Sequence, residues 1–364
     1  MKLKYITNTD LTTSDISSQI KATATAFYDL LGDDFKCFVA KKTPFDEKPF
    51  NTIFHSKSTN NNSLFGNILF HVGAYKEIKK STADTVIYSQ NLSVIYLAQI
   101  LGYKSAWELH DELGYIDSLL LKKIKNLTIL AISEALIKYY DNNFSQFAQD
   151  NNHNIVLSRN GIYTNSYDKY NENTKRKLIL IEQFKLPIDR TIIVHSGKLY
   201  RGQEIKLFET ILEKFPDILF LQISNTDDDI KFFEKTYSQY LNIKFISIDT
   251  SNKLIEYQLC ADLLFLSITK DNTKYQYSFP TNLFEYMATK IPIIGSRLGA
   301  SSEIINQENA IIYDEEDEKS LINAIKWYQD NQDEAKRLAN QAYQDIQMYD
   351  WDKRAKNIID ILQS

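Results

Sequence analysis

The sequence predicts an α/β protein built from two doubly wound parallel sheets. Three observations carry this expectation. Short apolar runs alternate with amphipathic segments along most of the chain, the pattern of strands covered on both faces and joined by helices. The chain has 364 residues, comfortable for two domains. Its 10 glycines and 6 prolines leave little material for long linkers, while 43% hydrophobic content is enough for packed cores.

In chain order, Leu3 to Thr7 reads as a short strand, and Ser17 to Leu31 as a helix with Ile20, Ala24, Phe27 and Leu31 on one face. Strands follow at Phe35 to Ala40 and Asn51 to His55. Leu64 to Lys80 is helical, with Leu64, Ile68, Val72 and Tyr75 as its apolar stripe and a basic end. Thr85 to Ser89 is a strand, Val94 to Leu101 a helix, Ser105 to His110 a strand, Leu127 to Ile132 another, and Glu134 to Tyr140 a helix. Asn154 to Leu157 closes the series before Asn160-Gly161, a turn dipeptide. The second half repeats the theme. Strands are expected at 191–195, 218–223, 244–248, 263–267, 291–294 and 310–313, with helices at 202–214, 228–240, 252–259 and 281–289. From Glu316 onward the chain reads as almost wholly helical. The expected domains are 1–165, 166–345 and a final helical segment 346–364.

Composition narrows the function. Net charge is −5 with no concentrated basic face, which argues against nucleic acid as a partner. The first residues read as a strand rather than a signal peptide, and no apolar run approaches the roughly 20 residues of a membrane span. Cys37 and Cys260 lack metal or CxxC spacing and read as buried thiols in a reducing cytosol. There is no Gly-x-Gly-x-x-Gly, GxxxxGK or HExxH motif, so dinucleotide, P-loop and zincin chemistry lack their signatures. Asp33-Asp34 reads as a turn and Asp227-Asp228-Asp229 as a helix start, not as metal sites. Two lysine clusters, Lys76, Lys79, Lys80 and Lys122, Lys123, Lys125, suit either anionic headgroups or solvated helix faces.

The most informative stretch is SFPTNLFEYMATKIPIIGSRLGASSEII, residues 278 to 305. Pro280 presets a helix entry. Leu283, Phe284, Met287 and Ala288 share a face, and Ile291 to Ile294 is a buried-strand run. Glu285 stands one turn into the helix, near an N-terminus able to hold an anion. A second stretch, TIIVHSGKLYRGQEIKLF at 191–208, runs strand, Gly197, then Lys198 and Arg201, two cations suited to a diphosphate. Together these segments resemble glycosyltransferase family 4, the retaining sugar transferases of the GT-B fold. The resemblance implies two facing doubly wound Rossmann-like lobes with a central cleft: an acceptor-side lobe, a nucleotide-sugar lobe and a helix crossing back to the first.

The resemblance also implies roles. Lys198 and Arg201 meet the leaving diphosphate, although the family order is arginine then lysine across a longer loop. Glu285 holds the ribose. Gly197, Ser278, Pro280, Thr281, Asn282 and Glu303 line the donor site, with backbone N–H groups from Ser278 to Asn282. His110, at the strand end in WELHDE, faces the donor sugar, and Asp111 and Glu112 position an acceptor hydroxyl. Where the family carries a first glutamate, eight residues before Glu285, this chain has Tyr277, which brings a hydroxyl but no charge. Simpler readings stand beside these: an Asn282–Glu285 capping contact, Asp111 or Glu112 as helix caps, Glu303 complementing a helix dipole, and Ser133 in AISEAL as an N-cap. The expected substrates are a nucleoside-diphosphate sugar and a glycan or lipid-linked acceptor, the latter placing Lys76, Lys79 and Lys80 near it. No cofactor or metal is expected. The expected location is the cytoplasm, with peripheral attachment to the inner face of the plasma membrane. Alternatives are a catalytically weak nucleotide-sugar-binding partner subunit and another GT-B enzyme such as an epimerase.

Overall fold

The computed structural model describes residues 1–11, 17–40, 49–52, 64–171, 176–197, 203–224, 227–248 and 251–364. By packing, the chain divides into two compact units. Met1–Gly161 and Trp351–Ser364 form the first, and Ile162–Asp350 the second.

In the first unit the strands are β1 (Lys2–Ile6), β2 (Phe35–Val39), β3 (Phe50–Thr52), β4 (Thr85–Ser89), β5 (Lys104–Leu109), β6 (Thr128–Ala131) and β7 (Asn154–Leu157). All pair in parallel, in the order β3-β2-β1-β4-β5-β6-β7. The helices are α1 (Ser17–Leu31), α2 (Leu64–Lys79), α3 (Leu92–Ile100), α4 (Tyr115–Leu121) and α5 (Glu134–Asp150), joined by α14 (Trp351–Gln363), which packs on α1.

The second unit has β8 (Ile192–Ser196), β9 (Leu219–Ser224), β10 (Ile243–Ser247), β11 (Leu263–Leu266), β12 (Ile293–Ser296) and β13 (Ile311–Tyr313). They are parallel in the order β10-β9-β8-β11-β12-β13. Around them lie α6 (Asn165–Asn171), α7 (Arg176–Gln183), α8 (Gln203–Lys214), α9 (Asp227–Thr236), α10 (Ser251–Gln258), α11 (Thr281–Ala288), α12 (Glu318–Asp330) and α13 (Gln332–Ile346). Each sheet reverses its strand order once, at β1/β4 and at β8/β11. In open parallel sheets, ligands collect beyond the carboxyl ends of the strands flanking such a reversal.

Several expectations are corrected. The stripe expected to bury α2 is its exposed side: Ile68, Val72 and Tyr75 are accessible, while Phe70, Ala74 and Ile78 are buried against Ile6, Ile87 and Val94. The helix is apolar on both faces, so spacing alone selects either stripe. The strand after α11 begins at Ile293, because Pro292 cannot donate to a ladder and Lys290 takes a left-handed conformation. Gly295 is packed here against Leu266 and Ile305. Asn160-Gly161 forms no turn, and Asn160 is buried. The short helices α4, α6 and α7 lie in segments too polar or too brief to show a helical period.

Candidate active site

The second unit's reversal point is built around the end of β8. Ser196 is the strand's last residue, and Gly197 follows at φ 125°, a region that side chains disfavour. Its N–H donates to the Ile223 carbonyl at 2.9 Å, and its own carbonyl accepts from Nε2 of Gln222 at 2.9 Å. The Gln222 amide is held in that sense by His195, whose Nδ1 lies 2.7 Å from Gln222 Oε1. Burial lowers the His195 pKa to about 4 against the effect of that hydrogen bond, so the imidazole is neutral near pH 7 and serves as an anchor. Lys198 and Arg201 lie outside the described residues.

Helix α11 starts at the same place. Pro280 is its N-cap, in extended conformation, and no side chain caps the first turn. The capping contact between Asn282 and Glu285 is not made. Asn282 lies inside the helix rather than at its N-cap, and its Nδ2 donates instead to the Ser196 carbonyl at 2.7 Å. Glu285 accepts from Gln258 Nε2 at 2.8 Å, its single hydrogen-bond partner among the described residues. The same nitrogen donates to Ser196 Oγ at 3.1 Å, and the Ser196 N–H donates to the Tyr286 hydroxyl at 2.8 Å. Ser196, Gln258, Asn282, Glu285 and Tyr286 thus form one polar cluster tying the end of β8 to the helix start. Within it, Gln258 Oε1 and Asn282 Oδ1 are buried without partners among the described residues, places where a polar ligand would relieve a cost. Burial raises the Glu285 pKa to about 7, with the Gln258 bond acting the other way. The carboxylate also raises the pKa of buried Tyr167, after burial itself.

Around this cluster, Tyr277 follows a 3-10 turn at Thr273–Gln276, and its hydroxyl accepts from Gln276 Nε2 at 3.0 Å. Ser278 is engaged internally: its N–H and hydroxyl both donate to the Lys274 carbonyl, at 3.3 and 2.8 Å. That removes its N–H from the set expected to face an anion. Thr281 is exposed. Glu303 closes a second 3-10 turn, Gly299–Glu303. Gly299 has φ 52°, and an added Cβ would collide with the Tyr275 carbonyl oxygen and lie 2.7 Å from Gln276 Cα. This close approach ties the two turns together.

In the first unit, His110 immediately follows β5. Its Nε2 is 3.3 Å from Oε1 of Glu108 and 3.2 Å from the amide nitrogen of Gln90. Glu108 is buried and paired with Arg354 of α14. Asp111 accepts from the N–H of Glu112 at 3.0 Å. Neither caps a helix, since Gly114 is the N-cap of α4. Ser133 is the N-cap of α5, accepting from the Leu136 N–H at 3.1 Å, and Glu134 pairs with Arg159. Lys80 pairs with Glu77 at 2.6 Å, Lys79 lies over the Tyr75 ring, and Lys76 is exposed. Among the described residues, Asp314, Glu315 and Glu316 lie close enough together to hold an ion, but Lys270 already pairs with two of them. Sequence reasoning missed Gln258, Tyr286, Glu108 and Arg354. Each is joined to its partner across 27 to 246 residues of chain, a separation that no local pattern reveals.

Two parallel sheets, each with a single reversal of strand order, make this the GT-B class of α/β fold. Residues 179–345 match the family described as glycosyl transferases group 1, and this span lies inside the second unit. The chain is similar to the provisionally named teichuronic acid biosynthesis glycosyltransferase TuaC of Bacillus subtilis, at 26% identity over 190 residues, 51% of this chain and 45% of that protein. The match thus spans less than half of the relative's length. A glycosyltransferase from Rickettsia africae ESF-5 shares the fold at TM-score 0.79 and 15% identity, over 100% of this chain and 98% of the other. HepE of Anabaena, solved with UDP and glucose, shares it at TM-score 0.76 and 15% identity, with both chains wholly covered. No helix among the described residues is long and apolar enough to cross a membrane.

Proposed function

We propose that the protein transfers a sugar from a nucleoside-diphosphate donor to a hydroxyl of a glycan or lipid-linked acceptor, with retention at the anomeric carbon. The observation that carries this reading is the cluster binding Ser196, the residue before Gly197, to the uncapped start of α11, with Glu285 inside it. An uncapped helix start attracts a diphosphate, and the adjacent carboxylate accepts hydrogen bonds from a ribose diol. In this reading Thr281 and Asn282 supply backbone N–H groups, Gly197 lets the chain pass close to the donor, and Pro280 and Ser278 shape the entry. Lys198 and Arg201 carry the countercharge, His110 and Tyr277 touch the transferred sugar, Glu303 reaches the donor, and Asp111 and Glu112 meet the acceptor.

The chemistry is a front-face displacement. The bond from the anomeric carbon to the diphosphate oxygen breaks while the acceptor oxygen bonds on the same face. The acceptor's proton passes to the leaving diphosphate. The protein's share is positioning and charge stabilisation, and the reading requires no metal. UDP is the first donor nucleotide to try, because HepE was solved with UDP. The relative in teichuronic acid biosynthesis favours a bacterial surface glycan as acceptor. Exposed Ile68, Val72 and Tyr75 beside Lys76 and Lys79 support attachment to an anionic membrane.

A thermal-shift screen of UDP-, GDP- and dTDP-sugars, followed by turnover measurements, tests the proposal. One donor class is expected to raise the melting temperature by mass action and to be consumed with a suitable acceptor. Lys198→Ala and Arg201→Ala are each expected to lower transfer by about 100-fold. Near-native rates in both would remove this loop from the diphosphate site. Stabilisation without turnover would favour the binding-subunit reading, to which Tyr277 at the position of the family's first glutamate lends support.

A further inference from the structure

We propose that Glu108 and Arg354 are positioning residues for His110. They fix its imidazole as the Nε2–H tautomer and leave Nδ1 as a hydrogen-bond acceptor for a sugar hydroxyl. The proposal rests on the reading that His110 touches the transferred sugar.

Glu108 lies in β5, with its side chain 2% exposed, and Arg354 of α14 is 5% exposed. A carboxylate in a buried strand is costly unless paired. Here Arg354 Nη2 donates to Glu108 Oε1, across 246 residues of chain. Burial works against ionisation of Glu108, but Arg354 and then His110 outweigh it and hold its carboxyl well below the usual range. The guanidinium is itself held over the Trp351 ring, 5.5 Å from its centre. A permanent anion therefore stands beside His110.

The Oε1 atom bound by Arg354 is 3.3 Å from His110 Nε2. Gln90 competes for that nitrogen: its amide nitrogen is 3.2 Å from His110 Nε2 and 3.5 Å from Glu108 Oε2. Two tautomers are thus possible for the neutral ring. In one, Nε2–H donates to Glu108. In the other, Nε2 accepts from Gln90 and the proton sits on Nδ1. A hydrogen bond to an ionised acceptor is roughly twice as strong as one between neutral groups, so the first prevails. Nδ1 then carries the lone pair, and no described residue bonds to it. The side chain retains 18% exposure at the carboxyl end of a parallel strand, where ligands collect. A lone pair there accepts from a hydroxyl.

The test is the tautomer itself, read from long-range proton–nitrogen NMR of the full chain with ¹⁵N-labelled histidine at pH 8. Only five histidines are present, and His110→Asn assigns the signal. The expected result is Nε2–H in the parent. Nδ1–H would overturn the proposal, whatever the variants do. The paired change Glu108→Leu with Arg354→Met removes both charges at similar volume and strands neither. It is expected to shift the ring to Nδ1–H, with Nε2 accepting from Gln90, and to lower kcat about tenfold, as for one lost hydrogen bond, with nucleotide affinity unchanged. An unchanged tautomer in this variant would also overturn the proposal. Parental kcat in His110→Asn would instead sink the assignment of His110 to the sugar, a result distinguishable from either tautomer.

Discussion

At the scale of single residues, Glu285 is a carboxylate that the fold makes reluctant to ionise. Its folded pKa, about 7, exceeds the ordinary 4.5. The native state therefore holds a proton that the unfolded chain releases. This contribution to stability is fully present below about pH 4.5 and is lost as pH rises through about 7. Glu285→Gln has no proton to lose. Its melting temperature relative to the parent is therefore expected to climb between pH 5 and pH 8. Nucleotide affinity is expected to run the opposite way. On the proposed reading the ionised carboxylate accepts the ribose diol best, so the variant is expected to bind about tenfold more weakly at pH 8, as for a lost charged hydrogen bond. The gap closes toward pH 5.5, where the parent is also neutral. Calorimetric titration at both values checks this, and equal affinities at pH 8 would make Glu285 a structural residue.

At the scale of elements, the candidate site is flanked by two 3-10 turns pressed against each other at Gly299. The backbone of Tyr275 and Gln276 occupies the space a Cβ would need, and the residue's φ of 52° already disfavours a side chain. Gly299→Ala must displace one turn. Tyr277, at the end of the first, and Glu303, at the end of the second, would move with them. The expected cost is about 1–3 kcal/mol of stability, typical of strain and overpacking. Turnover should fall more than nucleotide affinity, because the Gln258–Glu285 bond lies outside both turns. Denaturant unfolding and steady-state kinetics measure the two effects. A variant with parental stability would mean the turns adapt freely.

At the scale of the molecule, the first unit presents apolar and basic side chains together. Ile68, Val72 and Tyr75 of α2 are exposed along one stripe that continues into Lys76 and Lys79. Apolar residues beside lysines on a helix surface favour anionic bilayers. Cosedimentation with vesicles is expected to require anionic lipid and to weaken as salt rises. Val72→Glu should reduce binding further than loss of one lysine, since it removes apolar contact and adds repulsion. Binding indifferent to lipid charge would retire the idea.

The sequence by itself determined the fold class and the position of nearly every strand. Parallel strands covered on both faces are written as short apolar runs, and runs such as Thr85–Ser89, Leu219–Ser224 and Leu263–Leu266 need no partner to be recognised. It also singled out Glu285, Gly197 and His110 as candidates, because their chemistry sits in local phrases. Only the tertiary structure decided which stripe of α2 is buried, since both faces are apolar. It alone supplied the partners of the candidates. Gln258 reaches Glu285 across 27 residues, Tyr286 reaches Ser196 across 90, and Arg354 reaches Glu108 across 246. Gln, Tyr and Arg carry no signal of their own in a helix. They become parts of a site when packing removes water from around a carboxylate, because a buried charge must then find its hydrogen bonds within the protein.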